Sequence, residues 1–122
     1  MEKLRTFVPD GFALGSALFF LAIEKYMSCV NDSPSLPEIL AGCVSILGEC
    51  LESPWTAISP HNRMLCLLSR GKAHQRLGQH SQAIENFTAS IAVISEHTEL
   101  DQSEAAYSYF RRAWSYKVHG DA

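Results

Sequence analysis

The side chains able to do chemistry in this sequence are four cysteines, five histidines and a few closely spaced carboxylates. Cys29, Cys43, Cys50 and Cys66 include no C-x-x-C pair and no dense framework of the kind small secreted scaffolds use. Buried, reduced thiols behaving as small apolar groups are therefore expected. On a helix, Cys43 and Cys50 stand roughly 10 Å apart along one face, too far for a disulfide with each other. His61, His74, His80, His97 and His119 are scattered, with no two at the i, i+4 spacing that sets a pair of metal ligands on one helix face. Surface or cap roles suit them better. Glu49 and Glu52 lie on one prospective helix end, where such pairs more often serve solvation than acid–base work. There is no G-x-S-x-G, no H-E-x-x-H and no phosphate-binding glycine loop, since Gly71-Lys72 lacks the required upstream glycine. No catalytic residue, metal or cofactor is expected, and the chain reads as a non-enzyme. The rival is a small helical enzyme with a site assembled from His74, His80, Glu85 and a cysteine, which a low-pKa reactive thiol would reveal.

These residues must be positioned by a single domain spanning 1–122, because 47% apolar and 19% charged residues supply a core without marking the chain as disordered. A net charge of −3 gives no general electrostatic reason to bind nucleic acid or an anionic membrane, so any charge-driven partner must be recognised by a patch. The segment "RRAWSYK" interleaves basic and aromatic residues, yet it is too short on an acidic chain to argue for RNA. The run "GFALGSALFFLAI" falls well short of the ~20 residues a membrane span needs. With Lys3 and Arg5 before it, the run imitates a signal peptide, but Pro9-Asp10 interrupts the approach and "EKYMSCV" offers no small-residue cleavage site. A secreted, disulfide-linked helical protein remains a second alternative. Asn31-Asp32-Ser33 and Asn86-Phe87-Thr88 match the glycosylation acceptor pattern, although the latter falls inside a predicted helix.

Hydrophobic spacing is helical nearly everywhere, so the fold expected is all-α with about five helices. A first helix over residues 11 to 31 and a second ending near residue 52 form an N-terminal pair. The second opens at Ser35-Leu-Pro-Glu38, which has the form of a capping box with proline in the first turn. "ESPWTAISPHN" is the substantial connection, and Ser59-Pro60 starts a third helix that reaches Leu77. Gly78 is placed to end that helix in the left-handed conformation, and a fourth helix over residues 80 to 95 presents Ala83, Ile84, Phe87, Ile91 and Ile94. So short a turn forces the helices of the 60–95 pair to pack antiparallel. A fifth helix over residues 101 to 119 is stopped by Gly120.

Gly71, Leu77, Gly78, Ala83, Phe87 and Ile91 are the small and ring residues of a helix–turn–helix unit, and with them residues 64 to 95 resemble the tetratricopeptide repeat (TPR) of about 34 residues. In such a unit Gly71 and Ala83 let the paired backbones approach, and Phe87 fills the angle toward the following helix. "YFRRAWSYKVHGD" looks like the first helix of another repeat, with Ala113 in the role of Gly71, Tyr116 as the ring and Gly120 in the role of Gly78. "ALFFLAIEKYMSCV" looks like a second helix, with Ala22 matching Ala83 and Tyr26 matching Phe87. The resemblance implies a TPR-like α-α superhelical stack of antiparallel helices.

It also implies a concave groove lined by first helices. Carried onto this sequence, that face gives Leu65, Leu68, Ser69, Lys72, Gln75 and Arg76 on the third helix, then Tyr107, Phe110, Arg111, Trp114 and Lys117 on the fifth. The partner-binding set is Ser69, Lys72, Arg76, Tyr107, Phe110, Arg111, Trp114 and Lys117, a basic and aromatic surface suited to an acidic peptide with an apolar anchor. The bland alternative is that Phe110 and Trp114 cover the neighbouring helix and the basic groups are solvated. Family members that clamp a C-terminal carboxylate use lysines, asparagines and an arginine. Only Arg111 matches here, Leu68 and Lys72 replacing two of the set, so that specialised mode is not expected. The function implied is a cytoplasmic adaptor or scaffold that binds a protein or peptide partner, without nucleic acid or a membrane span. Repeat units cannot bury their faces alone. The half-repeat at the end therefore predicts a truncated form or fragment of a longer repeat protein, or self-association through the uncapped C-terminal helix.

Overall fold

Helix boundaries follow the local stop and start signals. The computed structural model describes residues 11–28 and 34–119. Among them run α1 (Phe12–Met27), α2 (Leu36–Leu51), α3 (Pro54–Ala57), α4 (Pro60–Arg76), α5 (His80–Glu96) and α6 (Ser103–Val118). The fold is all-α. Ser59 caps α4 by accepting a hydrogen bond from the Asn62 backbone N–H at 3.2 Å, with Pro60 at the first position, where its missing donor costs nothing. Gly78 takes φ +78°, the left-handed conformation that lets the chain reverse within three residues between α4 and α5. At Ser35 the expected capping box does not form: the residue holds the N-cap position of α2, but its side chain makes no cap hydrogen bond. Its φ and ψ of −91° and 3° lie outside the extended region in which a capping side chain turns back on the first helical amides. The ends expected for the first helix at residue 31 and for the last at Gly120, like Cys29, the Asn31 acceptor site, Lys3, Arg5 and Pro9, lie outside the described residues.

Pairings between helices fix the topology. Cys43 and Cys50 of α2 donate to the carbonyls of Ala22 and Gly15 respectively, so a later residue on α2 meets an earlier one on α1. The same inverse order holds for α2 with α4, where Cys50 meets Cys66 and Cys43 packs in one cluster with Ala73. It holds again for α4 with α5, where Met64 and Leu67 pack with Val93 and Ile94 while Gly71 lies under the ring of Phe87. On α5 and α6, Ser90 pairs with Ser108 and Ser81 with His119. Each of these four pairs is therefore antiparallel. The atoms nearest to Gly71 across the pair belong to Phe87. The missing Cβ of Gly71 makes room for Phe87, whose fully buried ring packs with Leu68 and Ala83.

The segment expected to be a plain connection folds into α3. Trp55 buries its ring against Phe19 with centroids 5.1 Å apart, and the buried Thr56 hydroxyl donates to the Cys50 and Leu51 carbonyls that end α2. Gly15 permits this docking, since a Cβ there would lie 2.6 Å from the Trp55 Cβ. One turn is far shorter than the ~11–18-residue window over which helical periodicity can be read, which hid α3 in the sequence.

The last interface has a different character. Where α6 meets α4 and α5 its buried residues are Ser108 and Ser115, and polar contacts stand beside the packing of Ala105 on the Val93 and Ile94 cluster. Gln75 donates to the Arg111 carbonyl at 2.9 Å and to the Ser115 hydroxyl at 2.7 Å, His80 meets that hydroxyl at 3.2 Å, and Arg112 donates to Thr88. Ala113 and Tyr116, assigned the roles of a packed small residue and its ring, are both exposed, because no described helix lies over them.

Candidate functional site

Three helices bring a basic and aromatic cluster to one surface. Lys72 on α4 lies 5.6 Å from the ring centre of Tyr26 on α1 and 5.7 Å from that of Tyr107 on α6. Arg76, one turn after Lys72, stacks over Tyr26 at 5.0 Å, and Arg111 stands 5.7 Å from Tyr107. The order across the surface is thus Arg76, Tyr26, Lys72, Tyr107, Arg111, with each tyrosine face between two cations. Cation–π contacts at such half-exposed sites contribute about 0.5–1 kcal/mol each, enough to hold the long side chains in place without neutralising them. Ser69, one turn before Lys72, joins Ala22, Ile23, Tyr26, Leu47 and Lys72 around a small cavity of about 20 Å³, the room of one water.

Three cations gather at this surface. Among the described residues the one side-chain ion pair within 4 Å is His97 with Glu99, remote from Lys72 and Arg111. The Arg111 Nε is buried and has no hydrogen-bond partner. A buried donor left in that state costs roughly 1–3 kcal/mol, and more for a charged group. The α6 backbone holds it there, because the Arg111 carbonyl is fixed by Gln75.

Of the eight residues expected to bind a partner, five share this surface. Ser69, Lys72, Arg76, Tyr107 and Arg111 come together. Phe110, Trp114 and Lys117 do not join the cluster. Phe110 and Trp114 are 65% and 53% exposed, so they do not cover the neighbouring helix either. Leu65, Leu68 and Gln75 are removed from the groove: Leu68 faces Phe87 and Ala83, Leu65 is half-buried among core side chains, and Gln75 is buried under α6. The face carried over from the resemblance was too wide, because α5 and α6 each claim one flank of α4. Tyr26 was missed as a site residue. Its place among the apolar positions of α1 suggested a core ring, and only its neighbours across the fold show it beneath two cations.

No protein-family model, curated protein or solved structure matches this chain. The site must be argued from its own geometry.

The groups of the rival enzyme reading have separate partners. His74 bonds Gln79, His80 bonds Ser115, and Cys50 and Cys66 face each other with sulfurs 3.2 Å apart beneath the Gly15 carbonyl. Burial pushes both of those thiols up from the ordinary value, Cys66 far up, with its hydrogen bond to Cys50 adding to the rise. Such thiols are poor nucleophiles at neutral pH. Burial likewise lowers the Arg70 pKa, and its guanidinium donates to the Asn86 carbonyl oxygen at 2.7 Å. Asn86 is buried with its amide nitrogen committed to Gln82, so the folded chain offers no glycan acceptor there. Asp101 is lowered by hydrogen bonds from the Ser103 backbone and side chain, which fasten the start of α6.

Proposed function

We propose that this protein is a non-catalytic adaptor or scaffold of tetratricopeptide type, which holds an acidic segment of another protein across Tyr26, Ser69, Lys72, Arg76, Tyr107 and Arg111. The observation that carries this reading is the convergence of Lys72, Arg76 and Arg111 around the faces of Tyr26 and Tyr107 on one surface. A carboxylate from a ligand would bond the half-exposed cationic groups of Lys72 and Arg111, and charge-assisted hydrogen bonds of this kind are roughly twice as strong as neutral ones. The tyrosines give rigid contact area with little ordering entropy, which suits an apolar anchor next to the acid. None of the described helices is long and apolar enough to cross a membrane. Buried cysteines outside any disulfide at Cys43, Cys50 and Cys66 fit a reducing compartment, and the cytoplasm is our proposed location.

Selection of a random peptide display library on the intact chain tests the reading. The expected outcome is enrichment of Asp and Glu beside an aromatic or leucine residue, with binding lost in the Lys72→Glu, Arg111→Glu variant and retained in Lys117→Glu. Peptides without acidic enrichment, or binding indifferent to Lys72 and Arg111, would reject the site.

A further inference from the structure

Helix α6 is amphipathic in the reverse sense for an outer helix. Its inward residues are small, Ala105, Ser108 and Ser115, whereas Tyr109, Phe110, Trp114, Tyr116 and Val118 are exposed. At about 100° per residue, Phe110 lies about 200° from the buried Ser108, and Ala106, Ala113 and Lys117 share its outward stripe. Phe110, Trp114 and Val118 with the two alanines of this stripe expose an apolar area on the order of 400 Å². Doubled by a second molecule and joined by its polar rim, it approaches the roughly 1,000 Å² at which specific interfaces begin. We infer that the outward face of α6 is a homodimer interface, in which two copies of α6 pack antiparallel about a twofold axis between Phe110 and Ala113.

Charge selects this occupant and this direction. Glu99, Asp101 and Glu104 stand in sequence at the N-terminal end of α6, and Arg111 and Lys117 stand in its C-terminal half, where Arg112 turns to Thr88 instead. An antiparallel copy sets each acidic end against a basic one and opposes the helix dipoles; a parallel copy would set like against like. The small residues set the register. Within the chain, Phe87 fills the space over Gly71, and Phe110 has Ala113 available on the other copy for the same purpose. That register brings Lys117 beside the second copy's Ala106, within one turn of its Glu104. Contacts are reciprocal, so the assembly closes at two.

Sedimentation equilibrium of the intact chain, from low micromolar to several hundred micromolar, measures the association directly. A concentration-dependent dimer is expected, weakened by added salt and weakened at least ~tenfold by Phe110→Glu. Phe110 is exposed, so the variant should keep its circular dichroism spectrum; if it does not, Ala113→Glu serves the same purpose on the same stripe. The control is Phe20→Glu on α1, which carries the other exposed apolar face with Leu14 and Leu21, and it should leave the dimer intact. A monomer at every concentration overturns the proposal, as does an association that survives both α6 variants. Oligomers larger than two that dissolve in Phe20→Glu would instead indicate head-to-tail stacking through α1, and the twofold interface would be wrong. Acidic-peptide binding by an obstinate monomer would leave the Tyr26–Arg111 site standing alone.

Discussion

Replacing Gly71 with alanine probes the closest approach in the α4–α5 pair. A Cβ at this position would lie 2.6, 2.9 and 3.1 Å from three carbons of the Phe87 ring. The ring is fully buried against Leu68 and Ala83, so it has no free space to retreat into. Overpacking of this kind costs about 1–3 kcal/mol. Alanine in a helix interior returns roughly 1 kcal/mol of propensity relative to glycine. The sterics win over most of that range, and Gly71→Ala should destabilise the protein by ~0–2 kcal/mol. Shortening the ring opens the space again, so the decisive measurement is a double-mutant cycle with Phe87→Leu, read by urea unfolding in far-UV circular dichroism. Gly71→Ala should be less harmful, or even stabilising, in the Phe87→Leu background, with a coupling on the order of 1 kcal/mol. If Gly71→Ala stabilises equally in both backgrounds, the ring does not lie over Gly71 and the account of this helix pair fails.

Two other glycines should respond with opposite signs in the same assay. Gly42 lies within α2 with nothing near its missing Cβ, so Gly42→Ala should stabilise by roughly 0.5–1 kcal/mol, whereas Gly78→Ala at φ +78° should cost about 1–2 kcal/mol. The Cys50 and Cys66 thiols should resist an aromatic disulfide reagent until urea opens the fold. Because burial raises both pKa values, their contribution to stability is complete below the ordinary thiol range and is lost as pH rises above it. Urea midpoints should therefore fall above about pH 9 in the wild type, and fall less in Cys50→Ala, Cys66→Ala, whereas a pH-independent difference between the two proteins would contradict the buried-thiol account.

Wherever the deciding interactions are local, the sequence determined the outcome. The all-α class, the Ser59 cap, the left-handed Gly78 and the antiparallel α4–α5 pair follow from residues within a few turns of one another. Helical periodicity and turn chemistry are properties of a single segment. Ser35 shows the limit, because a correct capping pattern still needs backbone angles that its flanks did not supply. Tertiary structure decided what depends on the crossing of separate segments. It converted "SPWTA" into α3 by giving Trp55 a place against Phe19. It also placed Tyr26 under Lys72 and Arg76, brought Cys50 onto Cys66, and turned Leu68 and Gln75 away from the groove. A side chain's face on its own helix can be read from spacing, but what stands opposite depends on long-range packing. That is why Tyr26 looked like a core ring until α4 was laid across it, and why the outward aromatics of α6 stood out only once Ser108 and Ser115 were seen to point inward.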